Sequence, residues 1–242
     1  MKALLLAAGL GSRLKPITNT IPKCLVPIDE KPLLEFWLDI LSVVGVDDFY
    51  INVHFHADAV RDFIKKSAHA DNITIIEEDT LLGTGGTLKK NAPMFFDDTF
   101  ILAHADNLCL TDFKAFINAH ETRPPNVALT MMTFDPPDPK SCGVVSLDGQ
   151  NVVTSFHEKV ENPPTRLANG AVFIMEPEVA LFSQNVDADH FEISLDIIPN
   201  YINRILAWHN HDYHLDIGTP ETYAKAQDDI EILRALYKKF TV

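Results

Sequence analysis

Directly after an apolar run at Ala3–Ala8 the chain reads "GLGSRLKPITNTIPK", which gathers Gly9, Gly11, Arg13, Lys15 and Lys23 into one short segment. Glycines there let the backbone approach a ligand and tolerate positive φ, so several N–H groups can point at an anion. Arg13 adds a planar fork for phosphate oxygens, and Lys23 adds a point charge. The chemistry this segment can do is to hold phosphates. Two standard phosphate loops are excluded. The G-x-x-x-x-G-K-[ST] pattern is absent. A dinucleotide fingerprint needs a third glycine and a long helix, but Leu14 stands in the third place, and Pro16, Pro22 and Pro27 forbid the helix. The glycines alone fit a plain strand-to-helix turn equally well.

The elements that must position this segment follow from hydropathy. Ala3–Ala8 reads as a strand buried on both faces of a parallel sheet. Leu33 to Gly45 reads as a core-facing helix ended by its glycine. Then "DFYINVHF" reads as a strand, "HADAVRDFIKKSA" as a helix, "NITIIEE" as a strand, "LGTGGTLKKNAP" as a loop entering a helix, and "TFILAHAD" as a buried strand. This alternation predicts an α/β, Rossmann-like, mixed but mostly parallel sheet with helices on both faces, and ligands at the carboxyl ends of its strands. After Asp106 the rhythm changes to strands joined by Pro-rich loops, which predicts a mixed extension. "PETYAKAQDDIEILRALYKKF" reads as one long terminal helix.

With 242 residues, 46% of them hydrophobic and 22% charged, the chain suits one large α/β domain. A formal net charge of -14 argues against general nucleic-acid binding, so an anionic ligand is held by local charge. Three unpaired cysteines, Cys24, Cys109 and Cys142, fit a reducing cytoplasm. The apolar run after Met1-Lys2 is too short for a signal peptide and is followed at once by Arg13 and Lys15. No run approaches the ~20 residues of a membrane span.

The whole string "LAAGLGSRL…PK" resembles the signature of the sugar-1-phosphate nucleotidyltransferases, and further motifs recur in order: "LGTGGTLKK", "AHADN", "CGVV", "FHEKV", "NGAVFIM" and "HLDIGTPETY". Ala105, Cys142, Val160 and His214 stand where the family commonly has Gly, an aromatic residue, Pro and Trp; these positions flank the key residues. The resemblance implies that a sugar 1-phosphate oxygen attacks the α-phosphorus of a nucleoside triphosphate and pyrophosphate leaves. It implies Mg2+ held by Asp106 and Asp216, nucleotide contacts from Leu6, Ala8, Gly9, Gly11, Ser12, Arg13, Gly83 and Thr84, and catalytic roles for Arg13, Lys23, Asp106 and Asp216. Sugar-phosphate contacts are implied for Asn107, Gly143, Glu158, Lys159, Asn169 and Gly170. Without the motif, the Glu158-Lys159 pair reads as a solvated salt bridge.

Glu78 has the spacing of a base-contacting residue in relatives, where thymidylyl- and uridylyltransferases often carry Gln. An ionised carboxylate only accepts, so it suits the adjacent N1–H and N2–H₂ donors of guanine and repels the carbonyls of uracil or thymine. The plain alternative is an exposed strand-end charge. The "LLGTGGTL" loop is likewise closest to the guanylyltransferases for mannose or manno-heptose 1-phosphates. GTP is therefore the expected nucleotide, and a uridylyl- or thymidylyltransferase for a hexose 1-phosphate is the alternative.

His209 and His211 form a His-x-His that could bind zinc with nearby His214, but polar rim histidines are the plainer reading; His54 and His56 read the same way. "MMTFDPPDPK" reads as an edge or subunit contact, which leaves room for a homo-oligomer. A cytidylyltransferase for a phospho-alcohol such as phosphocholine shares the first motif, but not the second glycine loop or the Gly143 and Glu158-Lys159 motifs. A non-catalytic nucleotide-sugar sensor would normally have lost Arg13, Lys23 or an Asp. Many family members carry a C-terminal left-handed β-helix. Here a helix is expected up to Val242, so one nucleotidyltransferase domain over 1–242 is the expectation.

Overall fold

The structure is a computed structural model and describes residues 1–241. The strands are β1 (Lys2–Leu6), β2 (Pro27–Ile28), β3 (Lys31–Pro32), β4 (Asp48–Val53), β5 (Ile73–Glu77), β6 (Phe100–His104) and β7 (Asn107–Leu110). They continue with β8 (Leu129–Phe134), β9 (Gly143–Leu147), β10 (Val153–Glu158), β11 (Ala168–Met175), β12 (Ile205–His209) and β13 (Tyr213–Asp216). The helices are α1 (Leu33–Val43), α2 (Ala57–Ile64), α3 (Gly83–Asn91), α4 (Phe113–Glu121), α5 (Pro177–Ser183), α6 (Pro220–Asp228) and α7 (Ile230–Thr241). The described residues pack into two compact units. One comprises 1–81, 103–113 and the chain from Asp212 onward; the other comprises 82–102 and 114–211. No helix among the described residues is long and apolar enough to cross a membrane.

In the first unit β4 lies between β1 and β5, parallel to both, with Leu6 level with Asn52 and Val53 level with Glu77. Ala3, Leu4 and Leu5 are fully buried, as a continuous apolar run in a covered parallel sheet requires. The end of β6 runs beside β1, where the Ala105 N–H donates to the Leu6 carbonyl at 3.0 Å. Helix α1 buries Leu34, Trp37, Leu38 and Leu41. It stops where Gly45 takes φ +87°, a conformation open to glycine, and the Val46 N–H returns to the Leu41 carbonyl. A short antiparallel ribbon, β7 with β13, sets Asp216 opposite Asn107.

The terminal segment is two helices rather than the one expected. The break falls at Asp229, whose carboxylate takes hydrogen bonds from the Tyr213 hydroxyl and the Lys225 ammonium. Tyr237 of α7 donates to Asp39 of α1 at 2.5 Å, and Lys31 and His69 also reach Asp39, which anchors α7 on α1.

The second unit holds the expected mixed extension, in the strand order β10-β9-β11-β8-β12. Its pairings are antiparallel except β8 with β12. The parallel pairings are thus concentrated in the first unit.

Candidate active site

In the first unit the β7–β13 ladder does the positioning. Asp106 precedes β7, Asp216 ends β13, and the Ile217 N–H donates to the Asp106 carbonyl at 3.3 Å. Their carboxylates meet at one ammonium: Lys23 Nζ lies 2.7 Å from Asp106 Oδ2 and 2.9 Å from Asp216 Oδ1. Lys23 opens a tight turn after Pro22, and its side chain is 7% exposed, so the ammonium has been taken out of water. Arg13 lies 3.5 Å from the other Asp216 oxygen. Gly218 makes this possible, because a Cβ there would sit 2.7 Å from that oxygen and 3.1 Å from the Arg13 guanidinium. The sequence motifs named these four residues; the structure brings them together.

Burial alone would lower the Lys23 pKa, but the two carboxylates outweigh it and hold the ammonium above its ordinary value. Burial would likewise raise Asp106, and Lys23 reverses that, holding it below the usual carboxylate range. Beside them His214 is pushed down to about 4, by burial first and then by His104, so it stands as a neutral imidazole. Buried Cys24 is pushed up to about 12, by burial and by Asp106, which makes it a poor nucleophile.

The segment after β1 turns at its glycine as expected. Gly11 takes φ +61° and caps the turn Ser12–Leu14; the Thr18 hydroxyl donates to its carbonyl at 2.7 Å. A Cβ on Gly11 would meet Thr18 at 2.8 Å, whereas Gly9 has open space around it. Leu6 and Ala8 are buried and Ser12 is exposed. Glu78 lies just past β5 and is 5% exposed, so it is not a strand-end surface charge. Asn52 donates to its Oε1 at 3.0 Å. His54 Nδ1 lies 2.7 Å from its carbonyl. Asn107 is buried, and its carbonyl accepts from the Trp37 indole at 2.8 Å.

In the second unit the glycine loop differs from expectation. "GTGG" is the first turn of α3, and its donors are engaged by the chain itself. The Gly85 and Gly86 N–H groups donate to the Phe191 carbonyl at 2.9 and 3.3 Å. Glu192 Oε2 accepts from the Thr84 N–H at 3.1 Å and from its hydroxyl at 2.6 Å. The missing side chains make room for this segment: a Cβ on Gly85 would sit 2.3 Å from the Phe191 ring, and one on Gly86 2.2 Å from the Asp189 carbonyl. The backbone groups at 84–86 are thus a seat for residues 189–192, not free donors for a base edge. Glu192 is a residue that sequence reading missed. Its signal was slight, a single acidic residue in "HFEIS" matched to a helix N-terminus 108 residues earlier.

Gly143, Glu158 and Lys159 also meet in this unit. A Cβ on Gly143 would lie 2.4 Å from the Phe156 ring and 2.5 Å from Glu158 Oε2, so glycine leaves the space that Glu158 occupies. Lys159 holds φ +49°, anchored by its N–H to the Cys142 carbonyl at 3.1 Å, and its exposed ammonium lies 3.4 Å from Glu158. Such an exposed pair contributes ~0–1 kcal/mol to stability. Asn169 accepts from the Ala171 N–H at 2.9 Å, and Gly170 between them is buried. His209 and His211 touch edge to face with centroids 4.5 Å apart. Among the described residues no three His, Cys, Asp or Glu side chains gather as a metal site.

Comparison with known proteins shows the family. Over 243 residues the chain is 31% identical to a UTP--glucose-1-phosphate uridylyltransferase of Synechocystis sp., covering 93% of this chain and 62% of the relative. It therefore spans about three fifths of that relative's length. A D-glycero-alpha-D-manno-heptose 1-phosphate guanylyltransferase of Campylobacter jejuni is 29% identical, with 92% of this chain and 97% of the relative covered. The crystal structure of HddC from Yersinia pseudotuberculosis complexed with GMP-PN superposes with a TM-score of 0.77 at 28% identity, covering 94% of this chain and 98% of that one. The nucleotidyl transferase family model matches residues 2–232, which include every motif residue placed above, and the chain belongs to that family.

Proposed function

We propose that the chain condenses GTP with a manno-configured sugar 1-phosphate, a hexose or a heptose, to give a GDP-sugar and pyrophosphate. The observation that carries the reading is the convergence of Lys23, Asp106, Asp216 and Arg13 beside the glycine turn. A sugar-phosphate oxygen attacks the α-phosphorus in line; the bond to the bridging oxygen breaks, and pyrophosphate leaves with the electron pair. The attacking oxygen is already anionic, so no side chain has to deprotonate it. The protein's task is position and positive charge.

Arg13, exposed at the turn, takes β- and γ-phosphate oxygens. Lys23 delivers its charge to the reacting phosphates from between the two carboxylates. Asp106 and Asp216 fit Mg2+: both are hard oxygen donors, and they already surround one cation, the Lys23 ammonium. Two carboxylates suit an ion that keeps waters and phosphate oxygens in its shell. When bound, Mg2+ neutralises phosphate charge. Glu158 accepts from sugar hydroxyls, Lys159 holds the sugar phosphate, and Asn107, Asn169 and Gly170 complete the sugar contacts. Leu6, Ala8, Gly9, Gly11 and Ser12 line the nucleotide, and Gly83 and Thr84 add packing surface only, since the Thr84 donors are held by Glu192. Glu78 reads guanine. Its burial supports this, as do the guanylyltransferase name of the Campylobacter relative and the guanine nucleotide analogue in the HddC crystal.

The proposal includes a single catalytic domain over 1–242, supported by one family match over 2–232, working in the cytoplasm where GTP is available. The Synechocystis relative's name favours a second reading, uridylyl transfer to a hexose phosphate. Pyrophosphate release with GTP, UTP, dTTP and CTP against mannose, manno-heptose and glucose 1-phosphates separates the two. The expected result is a GTP preference that Glu78→Gln weakens. A preference for UTP or dTTP overturns the guanine assignment.

A further inference from the structure

We propose that Asn52 is a positioning residue for base selection, tying the base-reading carboxylate to the phosphate turn through one buried amide; this rests on the assignment of Glu78 above. Asn52 lies near the end of β4, between β1 and β5, and is 4% exposed. Its Oδ1 accepts from the Ala7 N–H at 2.7 Å, and its Nδ2 donates to Glu78 Oε1 at 3.0 Å. Ala7 follows β1 and leads into Ala8, Gly9 and the Arg13 turn; Glu78 follows β5. One side chain on the middle strand therefore bridges the loops that leave both neighbouring strands.

The bridge has only one sense. An amide has one acceptor end and one donor end. The Ala7 N–H is a donor, so Oδ1 must face it, and the NH₂ group is left facing the carboxylate. That donor sets the rotation of the Glu78 carboxylate. Its main chain is held too, by its N–H to the Val53 carbonyl at 3.0 Å and by the His54 ring at its own carbonyl. Bidentate reading of the guanine N1–H and N2–H₂ edge needs both carboxylate oxygens coplanar with the base. Each oxygen carries two lone pairs, so Oε1 can accept from Asn52 and from a base together. A carboxylate free to rotate would read one donor as well as two.

The test compares GTP with ITP, whose base differs only in lacking the N2 amino group. A general loss of folding or of triphosphate binding lowers both rates and cancels in the ratio. Asn52→Asp keeps an acceptor for the Ala7 N–H and replaces the donor that faces Glu78 with a second carboxyl oxygen, so the hydrogen bond to Glu78 is lost. Asn52→Ala removes both hydrogen bonds without adding charge and covers the case in which Asn52→Asp does not fold. The expected result is a wild-type GTP/ITP ratio of kcat/KM of at least about tenfold. It should fall to near unity in both variants, through a higher KM for GTP. If Glu78→Gln collapses the ratio while both Asn52 variants keep it, Glu78 reads the base unaided and the positioning role is overturned. If Glu78→Gln also keeps it, the base reading itself fails and this inference falls with it.

Discussion

Replacing Lys23 with Met tests the centre of the proposed site. The change keeps the apolar length of the side chain and removes the charge 2.7 Å from Asp106 and 2.9 Å from Asp216. Breaking a fully buried pair costs about 3–5 kcal/mol, because the partner charge is left uncompensated. Here the carboxylates are only partly withdrawn from water, at 30% and 49% exposed, so solvent screens part of that cost. A loss of about 1–3 kcal/mol in unfolding free energy is expected, between the buried and the exposed limits. The same geometry makes a second demand. If the ammonium occupies a cation position, removing it should open that position to a divalent ion. At ten times its Kd, Mg2+ would then return about 1.4 kcal/mol. The assay is urea denaturation of wild type and Lys23→Met, each in EDTA and across a Mg2+ titration without nucleotide. The variant should be less stable in EDTA and gain more from Mg2+ than the wild type does. Equal stability in EDTA refutes the ionic argument. An equal response to Mg2+ refutes the assignment of the two carboxylates as its ligands.

Three further outcomes are expected. His120, 3% exposed and paired with Glu176, is held below its ordinary 6.5 by burial, which outweighs Glu176. Since the unfolded chain takes the proton first, its contribution is complete above the unfolded pKa and fades as pH falls below it. Between roughly pH 8 and pH 5.5 wild type should therefore lose more stability than His120→Gln, and parallel pH profiles would dismiss the idea. Glu192→Ala removes the acceptor for two Thr84 donors and should cost ~1–2 kcal/mol in thermal or urea unfolding; Glu192→Gln, which still accepts, should recover most of it, and an undiminished Ala variant would contradict the seat. Gly143→Ala puts a methyl group where Glu158 and Phe156 lie, so the KM for sugar phosphate should rise on the order of tenfold with the KM for GTP unchanged. A matching rise in both KM values would place Gly143 outside the sugar contacts.

Much of the architecture was legible because its causes are local. The run Ala3–Leu6 is apolar at every position and became a covered parallel strand; Gly45 ended α1 where only a residue tolerant of positive φ could. The turn at Gly11 was legible because glycine's tolerance of positive φ acts within a few residues. Motif order identified Asp106 and Asp216, although in isolation each is only an acid after an apolar strand. The break at Asp229 was not legible, since the run from Pro220 to Phe240 carries no glycine and no internal proline to mark it.

What only the tertiary structure decided are the pairings that depend on strand register and on packing between distant segments. Lys23 lies 83 and 193 residues from the two carboxylates it joins, and no period in the sequence links them. The β7–β13 register sets Asp216 opposite Asn107, the residue after Asp106, and a shift of one residue would turn Asp216 to the other face. The bareness of Gly85 and Gly86 reads equally as room for a nucleotide or for a protein segment; only the arrival of Asp189–Glu192 shows which uses it. Glu78 likewise reads as a surface charge until β4 sets Asn52 beside it and removes it from water, because burial is a property of neighbours that a residue's own identity does not encode.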